Sequence, residues 1–311
     1  MLNRIFDLSE QPCRISVRLS NLIIALSEDQ EVSAPLSDVA VVIAAHPQIT
    51  ITQGAVAGLC AAGGALICCG SDRLPIGMMV PLVGHTTQVE RMSAQVAASL
   101  PVKKRIWQQM VRAKLESQAA VLGDVLQDDA GLRDLARSVR SGDPQNLEAQ
   151  GARRYWTLIF KDPNFRRDRA APGINALLNY GYAVLRAIVA RALCASGLHP
   201  SIGIHHHNRS SGYPLADDVM EPLRPLVDRV VVDLADQGGP DAPIDKSSKR
   251  ALLEALQYKY LWEDERRSVF DISARMSSSL AQALLGSSKE LGWPSPFGLI
   301  QSEPASAPKP P

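Results

Sequence analysis

The chain has 311 residues, 46% of them apolar and few of them aromatic, and a net charge of +1. This length and composition suffice for two cored domains and exclude a chain that is disordered throughout. The five cysteines form no C-x-x-C pair, which argues against a disulfide framework or a zinc site, and charged residues among the first ten exclude a signal peptide. We therefore expect a cytoplasmic protein with reduced cysteines.

The near-neutral total hides an uneven distribution of charge. Residues 1–90 contain four arginines, no lysine and eight acidic residues, whereas residues 91–180 contain fifteen basic and nine acidic residues. The uncharged stretch at residues 51–71 is rich in glycine and alanine, which disfavours a membrane-spanning helix, so no membrane association is expected. A basic middle region beside an acidic first third suggests that one domain binds a polyanion, unless the charges merely face solvent.

Short β-like patterns fill the first 70 residues. The segments that alternate polar and apolar residues or form β-branched runs are 14–19, 22–26, 39–44 and 49–52. A short helix is predicted at Gln53–Ala61, and a buried strand at Ala65–Cys69. Turn residues such as Pro75 and Pro81 then change the pattern. These features predict a small, mostly-β domain at residues 1–75 and a linker at residues 76–90.

From about Val89 onward, apolar residues repeat at helical spacing. Residues 175–194 are apolar nearly all round, which predicts the central buried helix of this region. The predicted fold class is therefore α+β: the small mostly-β domain is followed by a larger all-α catalytic domain at residues 91–288. The proline-rich residues 289–311 cannot bury enough surface to fold on their own and are predicted to be disordered.

The first segment with candidate chemical groups surrounds Glu148, which stands at the start of a predicted helix. A structural explanation is available, because Asp143 and Pro144 can open the helix and the helix dipole favours an acid in the first turn. The neighbouring Arg153 and Arg154 either bind phosphate or face water. The segment alone leaves both a structural and a catalytic Glu148 open.

Three consecutive histidines, His205–His207, form the second candidate. In an extended chain His206 points to one side and its two neighbours to the other, so only one side can face a given site. Spacing alone does not choose between His206 and the other two, and a lone histidine is more often a surface or core residue than a ligand.

The third candidate contains Asp218 and Glu221, which share a helix face at a spacing of three. Two carboxylates on one face repel each other unless a cation lies between them or solvent screens them. Oxygen ligands with one imidazole suit Mg²⁺ or Mn²⁺, the metals of phosphodiester chemistry, whereas zinc favours more Cys or His. The residues alone are therefore compatible with a phosphodiesterase.

Three runs together resemble the CRISPR-associated integrase family, the nuclease of spacer acquisition. They are Gly203–Asn208, Ala216–Asp228 and Asn175–Tyr182. The resemblance extends over about residues 1–290, since a β domain followed by an all-α domain is the architecture of the family. The glutamate in the last metal position and the compact length look most like the type II branch.

The resemblance implies a metal site of one glutamate, one histidine and a further acid. These positions fall on Glu148, His206 and Glu221, while Asp218 matches an additional acid of the family. The Gly-x-x-His register and the asparagine two residues later select His206 over His205. The implied metal is Mg²⁺ or Mn²⁺.

The family joins the 3′-hydroxyl ends of short foreign DNA fragments to the CRISPR repeat, and the same site hydrolyses DNA when water is the nucleophile. The resemblance therefore implies double-stranded DNA as a partner, both as the captured fragment and as the repeat. It further implies a homodimer held by the β domain and a small second adaptation subunit. Resemblance to the type II branch adds the type II effector nuclease as a partner.

The basic residues of the middle region are the predicted contacts to the DNA backbone. They are Lys103, Lys104, Arg105, Arg112, Lys114, Arg153, Arg154, Arg166, Arg167 and Arg169. Tyr155, Trp156, Tyr180 and Tyr182 have the right chemistry to stack on bases, but the apolarity of their helices predicts core positions instead.

Two other functions fit the same residues. A metal-dependent nuclease of repair or branched DNA would use the same site, and its gene neighbours would distinguish it. A catalytically silent scaffold, in which Asp218 and Glu221 only form surface ion pairs, would bind DNA without metal and cleave none of it.

Overall fold

The computed structural model describes residues 2–27, 30–71, 74–81, 83–162, 164–205, 212–262 and 265–293. Within these ranges strands dominate the first 79 residues and helices dominate the rest. The predicted order, a strand-rich N-terminal domain followed by a helical domain, is therefore confirmed. Most of the predicted tail, from residue 294 onward, lies outside the described residues.

The described part of the N-terminal domain consists of short strands and one α-helix. The strands are β1 (Arg4–Leu8), β2 (Arg14–Arg18), β3 (Asn21–Ala25), β4 (Glu31–Pro35), β5 (Val39–Ala44), β6 (Thr50–Ile51), β7 (Ala65–Cys69) and β8 (Pro75–Met79); the helix is α1 (Gln53–Ala61), and a 3₁₀ turn spans Leu36–Asp38. Thr52 caps α1 by accepting a hydrogen bond from the Ala55 amide.

The strands form two sheets in the described chain. One has the order β1-β5-β7-β8, in which β1, β5 and β7 are parallel and β8 is antiparallel. The other has the order β4-β3-β2-β6, in which β6 pairs parallel with β2 and the remaining pairs are antiparallel. Apolar side chains from both sheets and from α1 form a small core of their own.

The first sheet has two buried faces, because successive side chains of a strand point to opposite sides. Val42 and Leu66, which lie opposite each other on β5 and β7, face the small N-terminal core. Their neighbours Val41, Ile43 and Ile67 belong to the large core of the helical domain. The sheet therefore joins the two domains through one of its own faces.

Strand β8 begins at the last residue of the predicted β domain, and its other four residues lie in the segment that the sequence predicted as a linker. Proline and glycine disfavour a strand interior, but an edge strand tolerates proline at its first residue, where Pro75 stands. The strand brings the helical domain close to the first sheet, since the Tyr213 hydroxyl donates a hydrogen bond to the Met78 carbonyl at 2.6 Å.

The helical domain begins with α2 and is built around long helices. Its helices are α2 (Gln88–Ala97), α3 (Leu100–Leu126), α4 (Leu132–Ser138), α5 (Leu147–Leu158), α6 (Ile174–Ala195), α7 (Pro214–Met220), α8 (Arg224–Gly238), α9 (Lys246–Gln257) and α10 (Val269–Leu284), with a 3₁₀ turn at Glu221–Leu223. The domain also contains an antiparallel hairpin of β9 (Lys259–Trp262) and β10 (Glu265–Ser268), which the all-α prediction did not include.

Helix α6 is the predicted central helix, and the structure confirms it. It contacts α7, α8, α9 and α10 on the helical side and β5, β7 and β8 on the other. By length and composition it is, within the described chain, the one helix apolar enough to cross a membrane, but 83% of its apolar window is buried inside the protein. Such burial is typical of the core helix of a soluble protein.

Candidate active site

Helix α3 forms one wall of the site. Trp107 and Lys114 are two helical turns apart on this helix and lie on the same face, and both are buried. The 3₁₀ turn at Glu221–Leu223 packs against the same helix. Groups from α3, from the start of α5 and from the end of α7 therefore meet in one place.

Helix α5 brings Glu148 to α3. The Asp143 carboxylate caps the helix start, because it accepts hydrogen bonds at 2.9 Å from the amides of Leu147 and Glu148. Further along α5, Gly151 permits a close approach, since a Cβ atom at this position would lie only 2.1 Å from Leu115 of α3. Glu148 is therefore a first-turn acid of α5 whose carboxylate lies against α3, and its catalytic role stays a prediction.

Glu221 is buried at the end of α7, with 7% of its side chain exposed. Its Oε2 lies 2.7 Å from Nζ of Lys114, and its Oε1 lies 3.2 Å from a guanidinium nitrogen of Arg224. Lys114 also forms an ion pair with Oε1 of Glu148. Glu148 and Glu221, far apart in sequence, thus converge on one ammonium group.

The ammonium of Lys114 remains charged in this setting. Burial acts to lower the pKa of Lys114, but the nearby carboxylates of Glu221 and Glu148 outweigh burial and raise the pKa above its ordinary value. A cation therefore lies between the two carboxylates and compensates for the repulsion between them.

Asp218 holds the segment that leads to the histidines. Its Oδ2 accepts hydrogen bonds from the amides of Ile204 at 2.7 Å and His205 at 3.1 Å. The His205 ring stacks on Trp107 with the ring centroids 4.0 Å apart and the planes 4° from parallel. His206 itself lies outside the described residues. The chain is therefore fixed beside α3 immediately before the predicted ligand.

Asp217, the neighbour of Asp218, points elsewhere. Its Oδ1 pairs with Nε of Arg186 on α6 at 2.7 Å. The adjacent acids therefore have different tasks: Asp217 ties α7 to α6, and Asp218 holds the backbone before His206.

A buried polar network lies behind Glu221. Asp228 accepts hydrogen bonds from the hydroxyls of Tyr155, at 3.0 Å, and of Tyr182. The guanidinium of Arg224, which pairs with Glu221, lies 4.8 Å from the centroid of the Tyr182 ring. Tyr155 and Tyr182 are buried, as the sequence predicted, and they support the site as part of the core.

The described residues fit part of the expected metal site. Two acids whose oxygens converge on one positive charge form the kind of oxygen-rich pair that holds Mg²⁺ or Mn²⁺. Among the residues that the structure describes, no group of three or more His, Cys, Asp and Glu is placed to hold a metal. The third expected ligand, His206, is outside those residues.

The predicted DNA contacts differ in exposure. Lys104, Arg112, Arg153, Arg154, Arg166 and Arg169 are exposed, Lys103, Arg105 and Arg167 are half-buried, and Lys114 is buried. Arg167 donates to the side-chain oxygens of Asn175 at 2.9 Å and Asn179 at 2.6 Å. Lys114 is paired with carboxylates and is not available to a phosphate in this conformation.

A family model described as CRISPR associated protein Cas1 matches residues 8–259, most of the chain. The chain belongs to the Cas1 family. A CRISPR-associated endonuclease Cas1 from Neisseria meningitidis serogroup C is 37% identical over 268 residues, which are 86% of this chain and 87% of the relative.

Two solved structures share the Cas1 fold described above. A casposase bound to an integration product has a TM-score of 0.76 and 20% identity, covering 98% of this chain and 96% of its own. A chain of a Cas6-RT-Cas1–Cas2 complex has a TM-score of 0.72 and 17% identity, covering 94% of this chain and 36% of its own. At these identities the likeness shows the fold alone.

Sequence reasoning missed two contributions of α3 to this Cas1-family site. Lys114 was predicted to contact DNA, although it stands four residues after Met110 and four before Gln118, both buried. A lysine within a buried stripe signals a buried acidic partner, and this pattern was available in the sequence. The stacking of Trp107 on His205 had no such signal, because the two residues are distant in sequence.

Proposed function

We propose that this Cas1-family chain is the metal-dependent DNA integrase and endonuclease of CRISPR spacer acquisition. It would join the 3′-hydroxyl ends of short foreign DNA fragments to the CRISPR repeat. The observation that carries the proposal is the convergence of Glu148 and Glu221 on one cation position. The likeness to a relative named as a CRISPR-associated endonuclease and to a casposase bound to an integration product supports the same chemistry.

Glu148, His206 and Glu221 would hold Mg²⁺ or Mn²⁺ in this proposal. When bound, the ion polarises a phosphoryl oxygen and favours loss of the proton from the attacking hydroxyl. Asp218 holds the backbone that leads to His206, and Arg224 holds Glu221 in place. Both are positioning residues.

Integration and cleavage differ only in the nucleophile. In integration, the oxygen of a 3′-hydroxyl forms a bond to phosphorus as one bridging P–O bond of the repeat breaks, so the number of phosphodiester bonds is unchanged. In cleavage, water takes the place of the hydroxyl. The protein's part is to hold the two DNA segments and the acids of the site in one geometry.

The exposed basic residues would hold the DNA backbone. Arg166 and Arg169 lie on a loop that α6 anchors, since Asn175 donates to the Arg166 carbonyl at 3.1 Å and Asn179 donates to the Arg169 carbonyl at 2.8 Å. Lys104, Arg153 and Arg154 extend the exposed basic surface.

Two copies of the chain would form a homodimer through the β domain, and a small second adaptation subunit would bridge two dimers. Exposed apolar residues of this domain, Leu19 and Ile76, support an interface there, with 90% and 74% of their surface exposed. The structural relative within a Cas6-RT-Cas1–Cas2 complex supports a Cas2-type subunit. The type II effector nuclease would be a further partner, as the resemblance of the sequence to the type II branch implies.

We further infer a cytoplasmic location. The burial of α6 inside the protein and the five free cysteines agree with a soluble protein of a reducing compartment.

Cleavage of labelled DNA in Mg²⁺, in Mn²⁺ and in EDTA tests the metal site. We expect wild type to cleave with either metal and to lose cleavage in EDTA, and Glu148→Gln to be inactive throughout although it binds DNA. Equal activity of wild type and Glu148→Gln would contradict the proposed site. DNA binding with no cleavage by wild type under any condition would favour a scaffold.

A further inference from the structure

Lys114 is a buried charge at the centre of the proposed site. Only 11% of its side chain is exposed, and it lies on the core-facing side of α3. Burial of an ammonium group is unfavourable unless partners of opposite charge compensate for the lost hydration. The chain supplies two such partners, and they are the acids that would hold the metal.

The four groups that these ion pairs join balance in charge before any metal enters. Glu148 and Glu221 carry two negative charges, and Lys114 and Arg224 carry two positive charges at ion-pair distance from them. A divalent ion added to this group would leave a local excess of positive charge. Phosphate groups of bound DNA would remove that excess.

The Lys114 ammonium lies where a metal ion bound by the two acids would lie. Nζ of Lys114 contacts a carboxylate oxygen of each acid, so it occupies the position from which both acids would bind a cation. An ammonium and a metal ion cannot occupy that position together. The lysine therefore both keeps the acids together and stands where the metal would be.

We infer that Lys114 is the resident counter-cation of this site, which holds Glu148 and Glu221 together in the free protein and competes with the divalent metal until DNA binds. The inference rests on the proposed metal role of these two acids. It makes the affinities for metal and for DNA depend on each other, and by linkage each must strengthen the other to the same degree.

Calorimetric titration with Mn²⁺ alone, in the absence of DNA, tests the competition. Lys114→Met removes the ammonium at nearly constant length, and Lys246→Met, at an exposed lysine at the start of α9, is the control. We expect Lys114→Met to bind Mn²⁺ about tenfold more tightly than wild type, a coupling of ordinary size, and Lys246→Met to bind as wild type does. Equal or weaker binding by Lys114→Met would overturn the inference.

Fluorescence anisotropy of a labelled short duplex measures the coupling from the DNA side. Mn²⁺ should strengthen DNA binding by wild type, and this gain should be smaller for Lys114→Met. The same gain in both proteins would also overturn the inference, because the lysine would then not link the two events.

Thermal melting separates a folding defect from this role. In EDTA, Lys114→Met and Lys114→Gln should melt below wild type, because two carboxylates face each other without their cation, and Mn²⁺ should restore the lost melting temperature. Variants that remain unfolded in excess Mn²⁺ would contradict the inference, since the metal would be unable to replace the ammonium.

Glu148→Gln distinguishes this inference from the proposed function. If Glu148→Gln binds Mn²⁺ as wild type does, the proposed metal site is wrong. If Glu148→Gln loses Mn²⁺ binding while Lys114→Met binds it as wild type does, the metal site stands and only the counter-cation role fails.

Discussion

Glu221 links the chemistry of the site to its stability, because it is buried between Lys114 and Arg224. Glu221→Ala would leave the buried Lys114 and the half-buried Arg224 without this partner, and breaking a buried pair costs about 3–5 kcal/mol. Unfolding of the alanine variant would therefore say little about catalysis. Glu221→Gln is the better variant, since it keeps the size of the side chain and one acceptor oxygen.

We expect Glu221→Gln to remain folded and to lose DNA cleavage by more than about 100-fold, since even the outer-shell partners of a metal site are worth about 10–100-fold. Cleavage rates in Mn²⁺ and circular dichroism measure the two effects. Glu254→Gln, at a half-buried glutamate of α9, is the control. A folded Glu221→Gln protein with near-normal cleavage would show that this acid is structural.

Asp228 gives the stability of the protein a defined pH dependence. Burial raises the pKa of its carboxyl to about 7, although Tyr182 and Tyr155 donate hydrogen bonds to it. An aspartate in the unfolded chain has a pKa of about 3.9. Between these values the folded protein binds more protons than the unfolded chain, so the contribution of Asp228 to stability falls as the pH rises through this window.

As the pH rises from 4 to 7, Asp228 should therefore lower the free energy of unfolding of wild type by at most about 4 kcal/mol. Asp228→Asn should lack that part of the pH dependence, although it loses an acceptor for one tyrosine. Urea denaturation from pH 4 to pH 8 measures the difference, with the exposed Asp236→Asn on the same helix as control. A difference between wild type and Asp228→Asn that is constant with pH would refute the assignment.

At the scale of elements, the segment before His206 is held from two sides. Asp218 binds its backbone, and Trp107 stacks on the His205 ring. His205 is therefore engaged with α3. We expect His206→Ala to abolish metal-dependent cleavage, and His205→Ala to reduce it by about 10–100-fold, the range of a supporting group.

Cleavage assays with His205→Ala, His206→Ala and His207→Ala make this comparison directly. Equal loss in the three variants would contradict a single histidine ligand. If His206→Ala remains active, the metal ligand is one of the two neighbouring histidines and not His206.

The loop at residues 166–169 depends on α6 for its conformation. Asn175 accepts hydrogen bonds from the Asp168 amide and from Arg167, both at 2.9 Å, and donates to the Arg166 carbonyl. Asn175→Ala would release the loop and leave part-buried groups without partners, which costs at most about 1–3 kcal/mol for each group. We expect weaker DNA binding although no basic residue has been removed.

Salt dependence of DNA binding checks this prediction. Arg166→Ala should reduce the slope of log affinity against log salt by about 0.9 if the side chain neutralises one phosphate. Asn175→Ala should reduce it by at least as much, and Asn21→Ala, at a half-buried asparagine of the β domain, should leave it unchanged. An unaltered slope for Asn175→Ala would mean that the loop does not contact the DNA backbone.

Sequence patterns predicted α1 and β7 with the bounds that the structure has, and they located α6 within a residue at each end. These elements have strong local signals: a capping threonine, a β-branched or apolar run, and an all-round apolar helix. Strands β1, β4 and β8 were missed. These strands are only partly buried, and their burial depends on neighbouring strands. No local sequence pattern therefore predicts them.

Motif resemblance selected Glu148, Glu221 and Asp218 as candidate site residues, and their contacts with neighbouring residues became visible only in the fold. Nothing local to Glu148 indicates that its carboxylate meets Lys114 of α3, because that contact depends on the close packing at Gly151. Nothing near Asp218 indicates that it binds backbone amides fourteen and thirteen residues earlier. Long-range contacts of this kind follow from tertiary packing.

At the scale of the whole molecule, the first sheet and α6 pack into one shared core, which connects the two domains. Val41, Ile43 and Ile67 of the sheet belong to the same core as α6, which also carries the asparagines that anchor the basic loop. A dimer formed through the β domain would therefore set the distance between two active sites. Such a span suits an enzyme that acts on both ends of one DNA fragment.

Strand transfer tests this account most directly. A labelled short duplex with free 3′-hydroxyl ends is incubated with a supercoiled plasmid that carries a CRISPR repeat, the small second subunit and Mn²⁺, using wild type and Glu148→Gln. We predict covalent joining of the label to the plasmid by wild type only, with loss of joining in EDTA. Metal-dependent cleavage without joining, or joining that persists in Glu148→Gln, would contradict the integrase assignment at this site.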